Sequence, residues 1–388
     1  MSVCMVGWSH TRFGRLEEND LEALITEAAA DAIADSGIDP SEVDEIFLGT
    51  FNAGMESQDF AASLALQLDE SMRFTPATRF ENACASGSAA MYGAIDAISA
   101  GRVRFALVIG VEKMTAASID KVTESLAKAS YYREEAGTGI SFPGIFGQLA
   151  QRYFQKYGDQ SDALAMIAAK NHRNGSVNPL AHIQKDLGYN FCREASQKNP
   201  IVAAPLKRTD CSTVADGAAA AVVTDIGTAL GMKKAVAFRA SQHVNDVLPM
   251  SKRDVLAMEA PRLAWSRAMD QAGISLGDLS LAEVHDCFTI AELLEYEAMG
   301  LTSEGCGAKA IKEGWTDKGG KLPVNPSGGL KAKGHPVGAT GVSMHVLAAQ
   351  QLTGTAGPIQ VQDAELAAVF NMGGAMVANY ASILQAIR

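Results

Sequence analysis

The sequence lacks the features that mark membrane proteins and nucleic-acid-binding proteins. It contains no run of about 18 consecutive apolar residues, so we expect no transmembrane helix. Its N-terminus has neither the basic start nor the cleavage site of a secretory signal peptide. Positive charge is in deficit, because 33 lysines and arginines face 44 aspartates and glutamates and the net charge is −11. This balance argues against nucleic acids and anionic membrane surfaces as partners.

Cysteine is also scarce, and its distribution argues against two common structural uses of the residue. The six cysteines do not form the Cys-x-x-Cys pairs of zinc sites and redox motifs. We therefore expect no metal site and no disulfide framework, and a reducing compartment such as the cytoplasm fits best. The six are Cys4, Cys84, Cys192, Cys211, Cys287 and Cys306.

The composition predicts a large α/β protein. The chain has 388 residues, enough for two or three packed units rather than one small core. Aromatic residues make up only 6% of the chain, whereas 36 residues are glycine, which suits closely packed layers. Long apolar strand patterns alternate with helical patterns, as in βα units, and this alternation predicts class α/β.

Cys84 stands where a predicted strand gives way to a predicted helix. Residues 81–87 read Glu-Asn-Ala-Cys-Ala-Ser-Gly, small residues follow, and Gly101 ends the helical pattern. The unpaired N–H groups and the dipole at a helix start favour a thiolate. Such an environment lowers a thiol pKa from about 8.5 to about 3.5–7.5. Cys84 is therefore a candidate nucleophile, and the alternative is a buried structural thiol.

Two later segments supply partners for such a nucleophile. Residues 284–288 read Val-His-Asp-Cys-Phe, which includes His285 and Cys287. Residues 334–341 read Gly-His-Pro-Val-Gly-Ala-Thr-Gly, which includes His335. A thiol nucleophile, an imidazole base and a second thiol are the groups required for acyl transfer and carbon–carbon bond chemistry on thioesters.

In this order, the three segments resemble those of the thiolase family. Residues 285–288, His-Asp-Cys-Phe, are similar to the sterol-carrier-protein type of thiolase, because most thiolases carry Asn-Glu-Ala-Phe there. Most thiolases have their second thiol near the C-terminus in a Cys-x-Gly segment, whereas residues 371–374 here read Asn-Met-Gly-Gly. The sterol-carrier-protein type makes the same replacement. Each segment alone is a weak signature, but the ordered set covers nearly the whole chain.

The resemblance implies an acyl-CoA C-acetyltransferase with a role for each residue. Cys84 would attack a 3-ketoacyl-CoA, release acetyl-CoA and hold the shortened acyl group until coenzyme A removes it; the reverse Claisen condensation would use the same groups. His335 would take the Cys84 proton, and Cys287 would exchange a proton with the acetyl-CoA methyl carbon. His285, with His335, would stabilise the enolate oxygen. The backbone N–H groups of Cys84 and Gly373 would form a second oxyanion site.

The chain also contains a diverged internal duplication. Residues 32–49 and 268–285 both read as helix, glycine stop, short turn and strand. Cys84 and His335 each precede a helix of small residues that is followed by a strand, so they would occupy equivalent positions in the two copies. Two helix starts related by a pseudo-twofold axis can face each other, which would bring these residues together. The alternative is that two unrelated βα units share a composition.

The duplication and the resemblance together divide the chain into three parts. Residues 1–115 with 206–232 form a predicted N-terminal half, and residues 233–388 form the C-terminal half. Residues 116–205 form an inserted loop domain that would cover the active site, with helices predicted around 146–157 and 162–171. The thiolase fold implied by the resemblance has five layers, αβαβα, built from the two halves.

The resemblance also implies partners. The substrates would be acyl-CoA thioesters, with coenzyme A as a co-substrate and no permanently bound cofactor, and the chain would form a homodimer or homotetramer. Completion of the site by a small partner protein stays open. Because coenzyme A is anionic, the mouth of the site must be locally basic. The candidate cations are Arg173, Lys207, Arg208, Lys252, Arg253, Lys331 and Lys333.

Three alternatives to a thiolase stay open at this point. A ketoacyl synthase shares the fold, but the His-Asp-Cys-Phe segment argues against it. A thiolase-fold retro-aldolase of the lipid-transfer type generally lacks the nucleophilic cysteine, so Cys84 disfavours it. A non-catalytic, thiolase-like lipid-binding scaffold would not need the intact set of reactive residues. Within the site, we expect Asp286 to support its loop or an oligomer contact. The alternative is that Asp286 is the third member of a catalytic triad.

Overall fold

Strands and helices alternate along the chain as the βα pattern predicts. The computed structural model describes residues 3–388. The strands are β1 Val3–His10, β2 Glu45–Gly49, β3 Ala77–Phe80, β4 Phe105–Glu112, β5 Ile201–Ala203, β6 Leu206–Lys207, β7 Gly217–Asp225, β8 Val236–Asn245, β9 Leu281–Val284, β10 Leu366–Gly373 and β11 Ala378–Ala386. The helices are α1 Leu21–Ser36, α2 Ala61–Leu64, α3 Ser86–Ser99, α4 Ile119–Ala127, α5 Phe142–Tyr157, α6 Ser161–Ser176, α7 Gly188–Arg193, α8 Ile226–Ala229, α9 Glu259–Ala272, α10 Thr289–Ala298, α11 Gly307–Lys312, α12 Gly329–Ala332 and α13 Thr340–Leu352. Among the described residues, no helix has the length and apolar character needed to cross a membrane.

Nine strands form one mixed sheet in the order β3-β2-β4-β7-β1-β8-β11-β10-β9. Strands β1 and β7 are antiparallel, as are β7 and β4, whereas β4, β2 and β3 run parallel. The pattern recurs from β8: β8 and β11 are antiparallel, as are β11 and β10, whereas β10 and β9 run parallel. A parallel bridge from Ala282 to Val324 adds the counterpart of β3. The two copies meet where residues 4–5 of β1 pair with residues 236–237 of β8.

Local sequence features end the equivalent helices α1 and α9 at the same point of each copy. Helix α1 begins after Asp20, whose carboxylate accepts a hydrogen bond from the Ala23 N–H at 2.8 Å. Gly37 ends α1 with φ of 80°, and Gly273 ends α9 with φ of 67°, a backbone conformation that glycine tolerates best. A short 3-10 turn and then β2 or β9 follow each glycine. The predicted duplication is therefore confirmed.

Helices α3 and α13 pack against each other between the two copies of the sheet. Helix α1 packs on β1, β4 and β7, and α9 packs on β8 and β11. Alternate side chains of β1 show the two faces. Val3 and Met5 belong to the apolar cluster that includes α3 and α13, whereas Cys4 and Val6 belong to the cluster that includes α1. The resulting order of helix, sheet, helix, sheet and helix gives the five layers of the thiolase fold, as predicted.

The segment between β4 and β7 adds no strand to the large sheet within the described residues. It contains α4 to α7 and a separate ladder of β5 and β6. The two helices predicted in this insertion are confirmed as α5 and α6. Helix α5 begins earlier than predicted, because the Ser141 hydroxyl caps it by accepting from the Gly144 N–H and Pro143 is compatible with a first turn. The boundaries of the loop domain and the two halves stay a prediction, and residues 1–2 lie outside the described residues.

A buried polar network joins the insertion to the C-terminal copy. Lys170 of α6 donates to a carboxylate oxygen of Glu292 on α10 at 2.5 Å and to the Val324 carbonyl oxygen at 2.8 Å. Asn171 donates to the other Glu292 oxygen at 2.6 Å and to Asp286 at 2.8 Å. The side chains of Lys170 and Glu292 are only 1% and 0% exposed. Because both charges have lost their hydration, removal of either one leaves the other uncompensated.

Replacing Lys170 with methionine should therefore destabilise the protein by about 3–5 kcal/mol. The measurement is denaturant-induced unfolding of the variant beside the wild type. Arg173→Ala is the control, because Arg173 pairs with Asp317 at the surface, where the side chains are 54% and 44% exposed. Loss of that surface pair should cost no more than about 1 kcal/mol. Equal destabilisation by the two substitutions would contradict the importance of the buried network.

Candidate active site

A tight turn between β3 and α3 presents the Cys84 thiol. Within this turn Ala83 has φ of 50°, a left-handed conformation that costs an alanine about 1–2 kcal/mol. The Ala83 N–H donates to the Glu81 carboxylate at 2.6 Å, and the Ser86 hydroxyl accepts from the Asn82 N–H at 2.9 Å. These hydrogen bonds hold the strained turn, which places Cys84 just before the helix, as predicted.

The close contact of α3 with the residues before α13 brings Cys84 near His335. A Cβ atom on Gly87 would lie 2.7 Å from the Gly338 carbonyl oxygen, so a side chain there would prevent this approach. Helix α13 begins at Thr340, and His335 lies in the irregular segment that precedes it. The equivalent ends of the two central helices therefore face each other, as the duplication predicts.

One cavity brings the predicted side chains together. Cys84, Cys287 and His335 line a cavity of about 280 Å³. One sulfur or ring-nitrogen atom from each of Cys84, His285 and His335 lies within 4.8 Å of the other two. The two imidazole rings meet edge to face, with centroids 5.1 Å apart. All four residues are buried, so a single small molecule in the cavity can contact both thiols.

The end of β10 packs directly on the Cys84 turn. A Cβ atom on Gly373 would lie 2.3 Å from the Asn82 carbonyl oxygen. The backbone N–H of Gly374 acts on the Cys84 thiol and lowers its pKa, an influence that the sequence did not predict. The oxyanion role of the Gly373 N–H stays a prediction. The structure adds the N–H of Gly374, the next residue, beside Cys84.

Both thiols are protonated in the ligand-free protein. Burial raises the pKa of Cys84 to about 12, the nearby Glu112 carboxylate acts in the same direction, and the Gly374 N–H offsets only part of this. The lowered thiol pKa expected from the helix start is therefore wrong for this state, because the thiol lies in the core rather than at an exposed helix end. Burial, and then the proximity of Cys84, also raises the pKa of Cys287 well above its usual value. A base must remove the proton before Cys84 can attack.

The surroundings of His335 leave one of its ring nitrogens able to accept a proton. Burial, with a contribution from Lys333, lowers the pKa of His335 to about 3, so the ring is neutral. Its Nδ1 atom lies 2.7 Å from the Thr340 hydroxyl, which donates its own proton to the Pro336 carbonyl at 3.0 Å. Thr340 must then accept from Nδ1–H. The buried Nε2 atom therefore has a free lone pair, and it has no hydrogen-bond partner among the described residues.

Polar contacts fix the 284–288 loop that carries the other two residues. Burial lowers the pKa of His285 well below its usual value, and the His285 Nδ1 atom lies 2.8 Å from Asn371 Nδ2 on β10. Asp286 accepts from the Leu330 N–H at 2.6 Å and from Asn171 at 2.8 Å. These bonds lead to α12 and to α6, as expected for a residue that supports its loop.

Sequence reasoning did not assign roles to three groups that contact the predicted residues. They are the Gly374 N–H, the Thr340 hydroxyl and the Asn371 amide. Thr340 lies in the same segment as His335, five residues further along the chain, and that spacing is a usable signal. By the resemblance, Asn371 would occupy the position of the cysteine that most thiolases carry. The contact of Gly374 depends on the packing of β10 against the Cys84 turn and has no signature in the sequence.

Two family models together match most of the chain. The thiolase N-terminal domain model matches residues 3–226, and the thiolase C-terminal domain-like model matches residues 241–386. The chain belongs to the thiolase family. This thiolase is 35% identical to an acetyl-CoA acetyltransferase of Methanothermobacter thermautotrophicus, with 96% of each chain covered. It is 32% identical to human sterol carrier protein 2 over 97% of this chain and 71% of that protein.

A solved structure supports the thiolase fold independently. It is that of the Ltp2-ChsH2(DUF35) aldolase, and the match covers 100% of this thiolase and 98% of that chain, with a TM-score of 0.83. The sequence identity is 21%, so this likeness concerns the fold.

The raised pKa of Cys84 predicts the pH dependence of its alkylation. Below the pKa, the thiolate fraction increases about tenfold for each pH unit. Alkylation by iodoacetamide in the ligand-free protein should therefore keep rising from pH 6 to about pH 10, measured at the Cys84 peptide by mass spectrometry. The exposed Cys306 thiol serves as the internal reference. A plateau for Cys84 below about pH 8 would show that a thiolate is already present.

Proposed function

We propose that this thiolase transfers acyl groups between Cys84 and coenzyme A, cleaving 3-ketoacyl-CoA to acetyl-CoA and a shortened acyl-CoA or catalysing the reverse Claisen condensation. The observation that supports it most is the shared cavity of Cys84, Cys287 and His335, with His285 beside them. Carbon–carbon cleavage needs a nucleophile at one carbon and a proton donor at the next, and both must contact one substrate.

In the first half of thiolysis, the Cys84 proton moves to His335 Nε2, and the sulfur forms a bond to the 3-keto carbon. The carbon–carbon bond then breaks, and its electron pair becomes the enolate of acetyl-CoA. The protonated Cys287 thiol supplies a proton to the enolate carbon, which its raised pKa favours. Acetyl-CoA leaves, and the shortened acyl group stays on Cys84 as a thioester.

In the second half, coenzyme A removes the acyl group. Its thiol proton passes to the Cys287 thiolate, and its sulfur attacks the acyl carbon. The bond to the Cys84 sulfur breaks, and Cys84 recovers its proton from His335. All protons and charges are then restored. Oxyanions in both halves need hydrogen-bond donors, and we assign His285 with His335 to the enolate and the backbone N–H groups of Cys84 and Gly373 to the tetrahedral intermediate.

The cavity has room for an apolar chain and opens to a basic mouth. Apolar side chains of the insertion line it together with Phe288, and they include Val122, Leu126 and Phe142. A neighbouring cavity of about 550 Å³ shares several of its lining residues and also contains Arg15 and Arg208. We assign the acyl and pantetheine groups to the first cavity and the coenzyme A phosphates to the second.

Most of the other cations considered from the sequence are less suitable for the phosphates. Lys331 and Lys333 are buried beneath the site, and Lys207 is buried beside Asp210 at 3.0 Å. Arg173 is paired with Asp317, and Arg253 donates to backbone carbonyls of the β10–β11 turn. Arg208 is exposed at the mouth. Arg15, which we did not predict, also lines the mouth, although it pairs with Glu17 at 2.9 Å.

The sterol-carrier-protein type is the subtype we propose. Its support is the His-Asp-Cys-Phe segment at 285–288, the presence of Asn371 in place of a cysteine and the 32% identity to human sterol carrier protein 2. We also propose that residues 116–205 act as the loop domain, because Phe146 of the insertion stacks on Phe288 with ring centroids 4.3 Å apart.

A homodimer and a cytoplasmic location complete the proposal. Strand β3 lies at an edge of the sheet, where its free backbone groups can pair with a second chain. The large side chains Phe60 and Phe74, near this edge in sequence, are 80% and 83% exposed.

A location in a reducing compartment agrees with the six free cysteines. The DUF35 protein named in the aldolase structure keeps a small partner protein in consideration.

A retro-aldolase is the second candidate activity. The solved aldolase has the same fold, and an aldol cleavage would also use a CoA thioester bound in the cavity. It would not need an acyl–Cys84 intermediate. Detection of that intermediate therefore separates the two activities.

Substitution of each thiol tests the proposed function. Cys84→Ala should abolish both labelling by acetyl-CoA and thiolysis of acetoacetyl-CoA. Cys287→Ala should still form acetyl–Cys84, because coenzyme A can leave as a thiolate, but it should lose thiolysis by a factor of about 10²–10⁴, because the enolate carbon has lost its proton donor. Mass spectrometry measures the labelling, and the enolate absorbance of acetoacetyl-CoA measures thiolysis. Cys306→Ala is the control, and full thiolysis by Cys84→Ala would refute the nucleophile assignment.

Arg208→Ala should raise the KM for coenzyme A about fivefold and leave kcat unchanged, because a phosphate contact binds substrate and transition state alike. The increase should shrink at high salt, where the charges are screened. Steady-state kinetics with varied coenzyme A measures both effects. Arg267→Ala, on the outer face of α9, is the matched control and should leave KM unchanged. An unchanged KM in Arg208→Ala would place the phosphates elsewhere.

A further inference from the structure

Asn371 is a buried amide at the centre of the site that the proposed mechanism does not use. It lies near the end of β10 and is 0% exposed. Its Nδ2 atom is 2.8 Å from His285 Nδ1 and 3.3 Å from the Cys84 carbonyl oxygen. Its Oδ1 atom is 2.8 Å from the Ser88 hydroxyl on α3. The amide therefore contacts the nucleophile's backbone and a catalytic imidazole at the same time.

The neighbours of Asn371 leave only one orientation for its amide. The Cys84 carbonyl oxygen can only accept a hydrogen bond, so the NH2 group must face it. The Ser88 hydroxyl then donates to Oδ1. A Cβ atom on Gly341 would lie 2.5 Å from the Ser88 oxygen and 2.7 Å from Asn371 Oδ1, so this glycine leaves the space that the pair occupies. A rotated amide would put two acceptor oxygens against each other.

This orientation determines which nitrogen of His285 carries the proton. Asn371 Nδ2 can only donate, so His285 Nδ1 must accept with its lone pair. Because burial keeps the ring neutral, its single N–H proton is then on Nε2. We infer that Asn371, held by Ser88 and the Cys84 carbonyl, is a positioning residue that locks His285 in the Nε2–H form.

The contact with Asn371 makes His285 a hydrogen-bond donor at Nε2, whereas His335 is a hydrogen-bond acceptor at Nε2. His335 presents an unprotonated Nε2 atom because Thr340 accepts from its Nδ1–H. One ring is therefore a base and the other a donor, although both are neutral histidines whose centroids are 5.1 Å apart. This division of roles deepens the proposed function, since the enolate oxygen needs a donor that does not depend on protonation at low pH.

The Nε2–H form of His285 also affects whether the site can bind a metal ion. Atoms of Cys84, His285 and His335 within 4.8 Å of one another could move slightly inward to bind Zn²⁺, which takes sulfur at about 2.3 Å and nitrogen at about 2.0–2.1 Å. A histidine binds a metal through an unprotonated nitrogen. In the Nε2–H form, His285 has its only lone pair on Nδ1, where Asn371 occupies it. Asn371 thus withholds the third ligand and protects the thiol from zinc.

Asn371→Asp tests the inference, because it keeps the shape and replaces the donor by an acceptor. The carboxylate should accept from His285 Nδ1–H and so free Nε2. Nitrogen-15 NMR of histidine-labelled protein should show Nε2–H in the wild type and Nδ1–H in the variant, with the His285 signals assigned by their loss in His285→Gln. Thiolysis kcat should fall by about 10²–10³, with little change in KM.

Zinc binding gives a readout that does not require activity. Competition with a zinc indicator should show at least about tenfold tighter binding by Asn371→Asp than by the wild type, and the added His285→Gln substitution should remove this gain. Asn199→Asp is the matched control, because Asn199 is a buried asparagine outside the site, and it should bind zinc as the wild type does.

Two results would overturn the inference. One is an Nδ1–H signal for His285 in the wild-type protein, a measurement that needs no folded variant at position 371. The other is equal zinc affinity in the wild type and Asn371→Asp. Both are distinct from failure of the proposed function, because a protein without thiolase activity would still show the tautomer and the zinc binding.

Discussion

Helices α3 and α13 meet in the middle layer through glycines in their first turns, and the approach of Cys84 to His335 depends on this contact. Gly87 lies against the Gly338 carbonyl, and a Cβ atom on Gly341 would lie 2.2 Å from the Ser88 nitrogen. The two copies of the sheet enclose this helix pair and hold it in place. Cys84 and His335 precede the two helices, so the packing that closes the core also brings the thiol to the imidazole.

Burial favours the uncharged forms of the two thiols and the two imidazoles, although the protein carries a net charge of −11. Burial raises both thiol pKa values and lowers both imidazole pKa values, because a low-dielectric interior disfavours the charged form of each group. Even Lys333 beneath the site has a pKa lowered to about 8 by burial. Thiolate and imidazolium can therefore form together only as the substrate reacts, when each charge stabilises the other.

The insertion does more than cover the cavity. On α6, Asn171 donates one hydrogen bond to Asp286 and a second to the Glu292 carboxylate. Lys170, also on α6, donates to the same Glu292 carboxylate. Phe146 of α5 stacks on Phe288 at the other end of the same loop. The loop that carries His285 and Cys287 is thus fixed from the insertion as well as from its own half. The proposed acyl cavity and the proposed proton exchange at Cys287 are consequently linked through one segment.

Much of the fold could be predicted from the sequence because its signals are local. Gly37 and Gly273 ended equivalent helices, the strand patterns of the two copies agreed, and the segments around Cys84, 285–288 and His335 indicated the chemistry. The pKa of Cys84 could not be predicted in this way. A position at the start of a helix predicts a lowered pKa, whereas burial raises it. The thiol's environment depends on Glu112 and on the depth of burial, which the sequence near Cys84 does not contain.

The sequence by itself determined the elements, the duplication and the identities of the reactive side chains, since helix stops, alternation and short motifs depend on neighbouring residues. Only the tertiary structure decided the state of those side chains. The tautomers of His335 and His285 follow from Thr340 and Asn371, and the Gly374 N–H reaches Cys84 across the β10 contact. Protonation and hydrogen bonding depend on distances of about 3 Å between residues far apart in the chain, and folding alone sets those distances.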